Sequence, residues 1–149
     1  MFEITSKDQD QITITTKTTS VNFNIAESTI TADLAVESIQ GPGEFEIGDI
    51  TIRGIDAGQD RTLYDAEIGG VHVGIIGGCE DNLDELGISD ILCTSSVKAV
   101  RSVEPKMVVS MGNVDGMVTE LKVNARAEKK LKIKKLEDLP ATLEVVALS

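Results

Sequence analysis

Two stretches in the first third of the chain alternate apolar and polar residues with a period of two, which limits the fold more than any other feature. Residues 12–16 and 21–25 both follow this pattern and are rich in β-branched side chains. Successive side chains of an extended strand point to opposite faces, so each stretch predicts a strand with one buried face. A polar break rich in turn-forming residues is predicted before them, at residues 6–10.

A Gly-Pro-Gly turn at residues 41–43 introduces further strands. Residues 44–47 and 50–53 alternate on either side of a Gly-Asp pair, which predicts a hairpin. Two more strands are predicted at residues 62–68 and 71–76, joined by a Gly-Gly turn. The first half of the chain is therefore expected to be strand-rich.

The second half changes character, because strands there alternate with helices. The predicted elements are a helix at residues 83–86, a strand at 88–92, a helix from 97 to 103 capped by Ser95 or Ser96, a strand at 107–110, a helix at about 114–122, and closing strands at 131–136 and 142–148. This order predicts an α+β fold of packed sheets with helices outside. A chain of 149 residues is expected to form a single domain over residues 1–149.

The charge is strongly acidic overall but unevenly distributed. The formal net charge is -11, which argues against general attraction to nucleic acid or to an anionic membrane. Residues 122–135 nevertheless hold seven bases and one acid. We call five of these bases the basic strip: Lys129, Lys130, Lys132, Lys134 and Lys135.

The basic strip has two interpretations that the sequence leaves open. It is either a solvated face, or a docking surface for an acidic protein partner or for the acidic face of a second copy in a homo-oligomer, paired head-to-tail or about a two-fold axis. No aromatic residue lies in or beside it to stack on bases, so nucleic acid is not an expected partner.

Location is predicted from what the sequence lacks. No apolar run approaches twenty residues, so no membrane contact is expected. The N-terminal residues have neither the basic start nor the apolar stretch of a secretory signal, and two cysteines make no disulfide framework. A cytoplasmic location is therefore expected.

Five segments in order resemble one known family. They are the Gly-Pro-Gly-Glu-Phe-Glu turn and strand at residues 41–46, Ile-Ile-Gly-Gly at 75–78, Leu-Gly-Ile-Ser-Asp-Ile-Leu at 86–92, the Glu-Pro-Lys strand that runs to Met-Gly at 104–112, and closing segments within 131–146. Together they resemble the metallo-β-lactamase superfamily, in particular its small single-domain bacterial branch similar to the ascorbate-phosphate lactonases. The resemblance implies a shortened αββα sandwich, with two β-sheets face to face and helices outside.

The sequence departs from that family where its enzymes bind metal. The family's His-x-His-x-Asp-His loop corresponds to residues 28–37, which contain no histidine; Gly78 replaces a bridging Asp, and Gly112 replaces a His. A catalytic zinc needs about three protein ligands, and glycine has no side-chain donor. No cofactor is therefore expected, and we interpret the chain as a catalytically silent binding or assembly module. Its candidate ligand or partner site is the former active-site rim: Gly78, Cys79, Thr94, Ser95, Gly112 and Asn113.

The alternative interpretation is a divergent metal-dependent hydrolase with a rebuilt site. His72 is the only histidine, and if Val71 and Val73 face the core it faces the other way. Cys79 and Cys93 would lie near the rim in the family's geometry, so His72, Cys79 and Cys93 form a possible ligand set. Two small buried hydrophobic thiols are the competing interpretation of the cysteines.

Overall fold

In the computed structural model, residues 1–32 and 38–149 are described, and they form two β-sheets. The first sheet has the order β13-β1-β2-β3-β4-β5, with strands β1 (Phe2–Asp8), β2 (Gln11–Thr15), β3 (Ser20–Asn24), β4 (Thr29–Ala32), β5 (Ile39–Gln40) and β13 (Leu131–Ile133). The second has the order β12-β14-β11-β10-β9-β8-β7-β6, with strands β6 (Gly43–Ile47), β7 (Ile50–Gly58), β8 (Arg61–Ile68), β9 (Val71–Gly77), β10 (Ile91–Thr94), β11 (Met107–Ser110), β12 (Ala125–Glu128) and β14 (Glu144–Leu148). Residues 33–37, the second half of the segment that the sequence resemblance aligns with a histidine loop, lie outside the described residues.

The alternating stretches near the N-terminus are confirmed as strands β2 and β3. Ile12 pairs with Phe23 across the two strands, and both side chains are fully buried. On the opposite face, the Thr13 hydroxyl donates a hydrogen bond to Asn22 Oδ1 at 2.9 Å. The period of two thus places apolar side chains inside and hydrogen-bonded polar ones outside, as strand geometry requires.

The predicted hairpin is confirmed as strands β6 and β7. Ile47 pairs with Ile50, so Gly48 and Asp49 alone form the turn, and Gly48 adopts a φ of +59° that glycine accepts readily. The hydroxyl of Thr16 donates to Asp49 Oδ1 at 2.7 Å. The turn of the second sheet is thereby tied to the first sheet.

One hydrophobic cluster lies between the sheets, and we call it the inter-sheet core. It contains buried residues of both sheets, among them Ile14, Phe23, Tyr64, Ile75 and Val109. The rings of Phe23 and Tyr64 meet across the interface with centroids 5.5 Å apart. The two sheets therefore bury their apolar faces against each other.

Helices cover the other face of the second sheet. They are α1 (Leu83–Leu86), α2 (Val97–Val103) and α3 (Val114–Leu121), and they bury Leu86, Val100 and Met117 in a second cluster that we call the helix-side core. Within the described residues, every α-helix packs on this sheet, so a helical layer over the first sheet is not seen there. No helix among the described residues is long and apolar enough to cross a membrane.

Several predicted boundaries were wrong. The strand predicted at residues 88–92 begins only at Ile91, because Ile88 is 77% exposed in the preceding loop. The strand predicted at 131–136 ends at Ile133, and a short 3-10 helix follows at Leu136–Asp138. The polar break predicted at residues 6–10 is shorter, because β1 runs to Asp8. Strand β12 was not predicted, since its exposed side chains carry no alternation.

Candidate functional site

The rim residues come together because three neighbouring strands are parallel. Strand β10 pairs in parallel with both β9 and β11, so the carboxyl ends of all three lie at one edge of the sheet. Ligand sites in sheets of parallel strands form beyond these ends. Gly78 and Cys79 follow β9, Thr94 ends β10 before Ser95, and Gly112 and Asn113 follow β11.

Two side chains of the rim, Thr94 and Asn113, already form hydrogen bonds within or beside it. The Thr94 hydroxyl donates to the Gly77 carbonyl at 2.6 Å and accepts from the Ser96 backbone N–H at 3.0 Å. The side-chain amide of Asn113 donates to the Ser95 carbonyl at 3.1 Å. These hydrogen bonds hold the three loops together. The Thr94 and Asn113 side chains thus have a structural role and are less free to bind a ligand.

Gly78 and Gly112, which the sequence resemblance aligns with metal-ligand positions, are poor places for a longer side chain. A Cβ on Gly78 would lie 3.3 Å from Ser95 Oγ, a tight contact. Gly112 has a φ of +93°, in the left-handed region that L side chains rarely adopt, and its Cβ would lie 3.4 Å from Gln9 Oε1. The backbone at Gly112 is thus shaped for glycine rather than for histidine.

The residues of the possible rebuilt site do not converge. Cys93 is fully buried in the inter-sheet core, where burial raises the pKa of its thiol. Cys79 is buried on the other side of the sheet, in the helix-side core. His72 pairs with Glu67 in the second residue of β9, far along that strand from Gly77.

The donor set therefore does not fit a catalytic zinc. Within residues 1–32 and 38–149, no group of three or more His, Cys, Asp or Glu side chains could hold a metal ion. Such a site requires about three protein ligands and an open position for water.

A buried carboxylate beside His72 is the polar feature that sequence reasoning missed. Asp65 is 6% exposed, and its Oδ2 lies 3.2 Å from His72 Nδ1 and 3.9 Å from the Arg53 guanidinium. Burial raises the pKa of Asp65 above its ordinary value, while the hydrogen bond and charge of His72 and the Arg53 charge act the other way. No signal in the sequence indicates this contact. Asp65 and His72 lie on different strands, and the register between two strands cannot be read from either strand alone.

This cluster lines an open groove of about 340 Å³ on the helix-side face of the second sheet. Its polar lining residues are Glu44, Thr51, Arg53, Asp65, Glu67 and His72. Three carboxylates face one guanidinium there, so the groove favours positively charged groups. The outward position predicted for His72 is confirmed, since Val71 and Val73 are fully buried and His72 is not.

The basic strip lies at the other end of the two sheets from the groove, beside strands β12 and β13. Lys129 and Lys130 connect β12 to β13, Lys132 is on β13, and Lys134 and Lys135 follow it. All five side chains are exposed. Two of them have a weak partner, because Lys130 and Lys132 lie 3.9 and 4.0 Å from the carboxylate of Glu3.

The two packed sheets define the class of structure: the chain has a metallo-β-lactamase-like fold, as the sequence resemblance implied. A similar solved structure is a Thermotoga maritima protein provisionally described as a Zn-dependent hydrolase of the metallo-β-lactamase superfamily. The two superpose with a TM-score of 0.72 over 100% of both chains, at 15% sequence identity. No protein-family profile and no curated protein sequence matches the chain.

Proposed function

We propose that this chain is a catalytically silent protein of metallo-β-lactamase-like fold that acts in the cytoplasm as a binding or assembly module for another protein molecule. The observation that carries the proposal is the rim. Gly78 and Gly112 offer no donor, and Thr94 and Asn113 hydrogen-bond within the rim itself. In a zinc hydrolase the metal activates the water that attacks the substrate. A chain that cannot bind zinc therefore lacks the nucleophile of that reaction altogether.

The basic strip supports a binding role. Its lysines are exposed and concentrated on an acidic molecule, and charged residues of one sign on one surface steer a partner of the other sign. We propose an acidic protein surface as the partner, not nucleic acid, because no aromatic side chain accompanies the lysines.

The finer architecture is part of the proposal. We propose a shortened αββα sandwich, supported by the core shared between the two sheets and by the helices on the second sheet. A crystal structure with a helix over the outer face of the first sheet would support it.

Metal content tests the proposed function. The protein is purified without chelator, incubated with excess Zn²⁺ and desalted, and zinc is then measured per chain. We expect far less than one zinc per chain. We also expect no EDTA-sensitive hydrolysis of ester, lactone or phosphodiester probes. Zinc near one per chain together with such turnover would overturn the proposal.

The second candidate function is that of a divergent hydrolase, and the orientation of His72 by the buried Asp65 is the observation that favours it. A carboxylate behind an imidazole fixes its tautomer and orientation, which acid–base catalysts use. His72→Ala distinguishes the two functions, because only a hydrolase of this kind would lose turnover on that substitution. Lys98→Ala is the control, since Lys98 is exposed on α2, outside the groove and the rim.

A further inference from the structure

The two sheets end together at each side of the molecule. Strands β12 and β13, at one end of the second and first sheets, are joined by Lys129 and Lys130 alone. Strands β6 and β5, at the other ends, are joined by Gly41 and Pro42 alone. Each side therefore presents two edge strands, and within the described residues their outer backbone groups pair with no further strand.

The two sides carry opposite charge. One side bears the basic strip, in which Lys129, Lys134 and Lys135 form no ion pair among the described residues. The other side consists of β6, β7 and β8, and residues 43–68 hold seven acids and two bases.

Three glutamates on that second side are exposed, and we call them the acidic face: Glu44, Glu46 and Glu67. Glu44 lies opposite Arg53, and Glu67 lies opposite His72, so both point to the open groove. The described residues offer no ion pair to any of the three. The ion pairs among the described residues thus leave two carboxylates of the groove, Glu44 and Glu67, free to accept a cationic side chain.

We propose that the basic strip of one copy docks on the acidic face of a second copy, an inference that rests on the proposed binding function. The partner is this chain itself because both complementary surfaces belong to it and both keep unpaired charges. Lysine side chains of the strip would enter the groove between Glu44 and Glu67.

Symmetry makes this association head-to-tail. A two-fold dimer would require the strip and the acidic face of one copy to meet the acidic face and the strip of the other copy at the same time. The two surfaces lie seven strands apart in the second sheet, about 34 Å at 4.8 Å for each strand. Because the two surfaces lie at opposite ends of the sheet, one partner copy does not reach both, so the contact propagates into chains or closes into a ring.

Lysines on an edge strand have another known use, which is to prevent edge-to-edge pairing. The two roles predict opposite behaviour at low salt, where charges are least screened. Attraction between the strip and the acidic face would then favour association, whereas repulsion between edge lysines would favour the monomer. Sedimentation equilibrium from 20 to 500 mM salt separates them. We expect a weight-average mass above one chain at 20 mM and a return to the monomer by 500 mM, whereas a monomer at every salt concentration overturns the inference.

Neutral variants test the surfaces themselves. In Lys129→Gln/Lys134→Gln/Lys135→Gln the strip is weakened, and in Glu44→Gln/Glu46→Gln/Glu67→Gln the acidic face is weakened. We expect each variant alone to associate at least tenfold more weakly than the wild type at 20 mM salt. The control Lys7→Gln/Lys98→Gln/Lys106→Gln removes the same charge from exposed lysines elsewhere and should associate like the wild type.

Mixing the two variants tests the head-to-tail arrangement. Each retains the surface that the other has lost, so the equimolar mixture should form a 1:1 dimer and stop there. Failure of the mixture to associate, or equal weakening by the control, overturns the inference. These outcomes are independent of the zinc measurement: stoichiometric zinc together with turnover that EDTA abolishes refutes the proposed function, whereas a metal-free monomer refutes only this inference.

Discussion

At the scale of single residues, two neighbours in β8 face opposite environments. Tyr64 points into the inter-sheet core, and Asp65 points to the groove on the other face. The Tyr64 ring is fully buried, and its hydroxyl has no hydrogen-bond partner among the described residues. A buried hydroxyl without a partner costs about 1–3 kcal/mol, so Tyr64 contributes packing at the expense of one unsatisfied polar group.

We predict that burial of Tyr64 makes stability fall at high pH. Burial raises the pKa of Tyr64 to about 12, whereas the phenol of the unfolded chain ionises near its ordinary value of 10.0. The unfolded state therefore loses a proton first, and the free energy of unfolding decreases as pH rises from about 10 to about 12. Tyr64 is the only tyrosine, so its absorbance at 295 nm reports the folded pKa directly.

Tyr64→Phe is the matched variant. It should be more stable than the wild type by about 1 kcal/mol at pH 7, because the unpartnered hydroxyl is gone. Urea unfolding between pH 9 and 12 should show the advantage of the variant growing with pH. An unchanged difference across that range, or a tyrosine that titrates near 10 in the folded protein, would contradict the assignment of a buried phenol.

At the scale of elements, helix α2 illustrates what a short motif determines. The sequence allows either Ser95 or Ser96 as the cap, and the structure selects Ser96, whose Oγ accepts the Ala99 backbone N–H at 3.0 Å. Ser96 Oγ also donates to the Glu80 carboxylate, which ties the helix start to the loop after β9. Both serines fit the pattern of an N-cap, and only the backbone conformation at Ser96 decides between them.

We predict that Ser96→Ala costs about 1 kcal/mol of stability, because it leaves the first-turn N–H of α2 without its acceptor. Ser95→Ala should change the free energy of unfolding by less than about 0.5 kcal/mol, since no hydrogen bond of its side chain is described. Urea titrations of both variants at pH 7 measure this. Equal losses in the two variants would mean that the cap is misassigned.

At the scale of the whole molecule, the inter-sheet core determines how the chain unfolds. Strands from both sheets contribute to it, and β13, near the C-terminus, pairs with β1 at the N-terminus. Neither sheet buries its apolar face alone. This supports the expectation of one domain over residues 1–149, which stays a prediction.

We predict that a small cavity in the first sheet destabilises both sheets equally. Ile14→Val removes one buried methyl group and should cost about 0.5–1.5 kcal/mol. Amide hydrogen exchange of β10 and β11 should then accelerate by the factor that this loss implies, about fivefold for 1 kcal/mol. Unchanged protection in β10 and β11, with faster exchange confined to β1–β4, would show two independently stable sheets.

The sequence by itself determined the strands that alternate, the Gly-Asp hairpin turn, the short helices and the absence of side-chain donors at Gly78 and Gly112. These features depend on local rules: the period of two, glycine's backbone freedom and the absence of a side chain. The sequence also located the basic strip, because its lysines are close together along the chain.

Only the tertiary structure decided which residues face one another. It separated Cys79 from Cys93 on opposite faces of one sheet, placed Asp65 against His72, and set the basic strip and the acidic face on opposite sides. Strand β12 also depends on pairing with β14 and has no signal of its own. The physical reason is that strand order and register are settled by burial summed over the whole core, which no short segment contains.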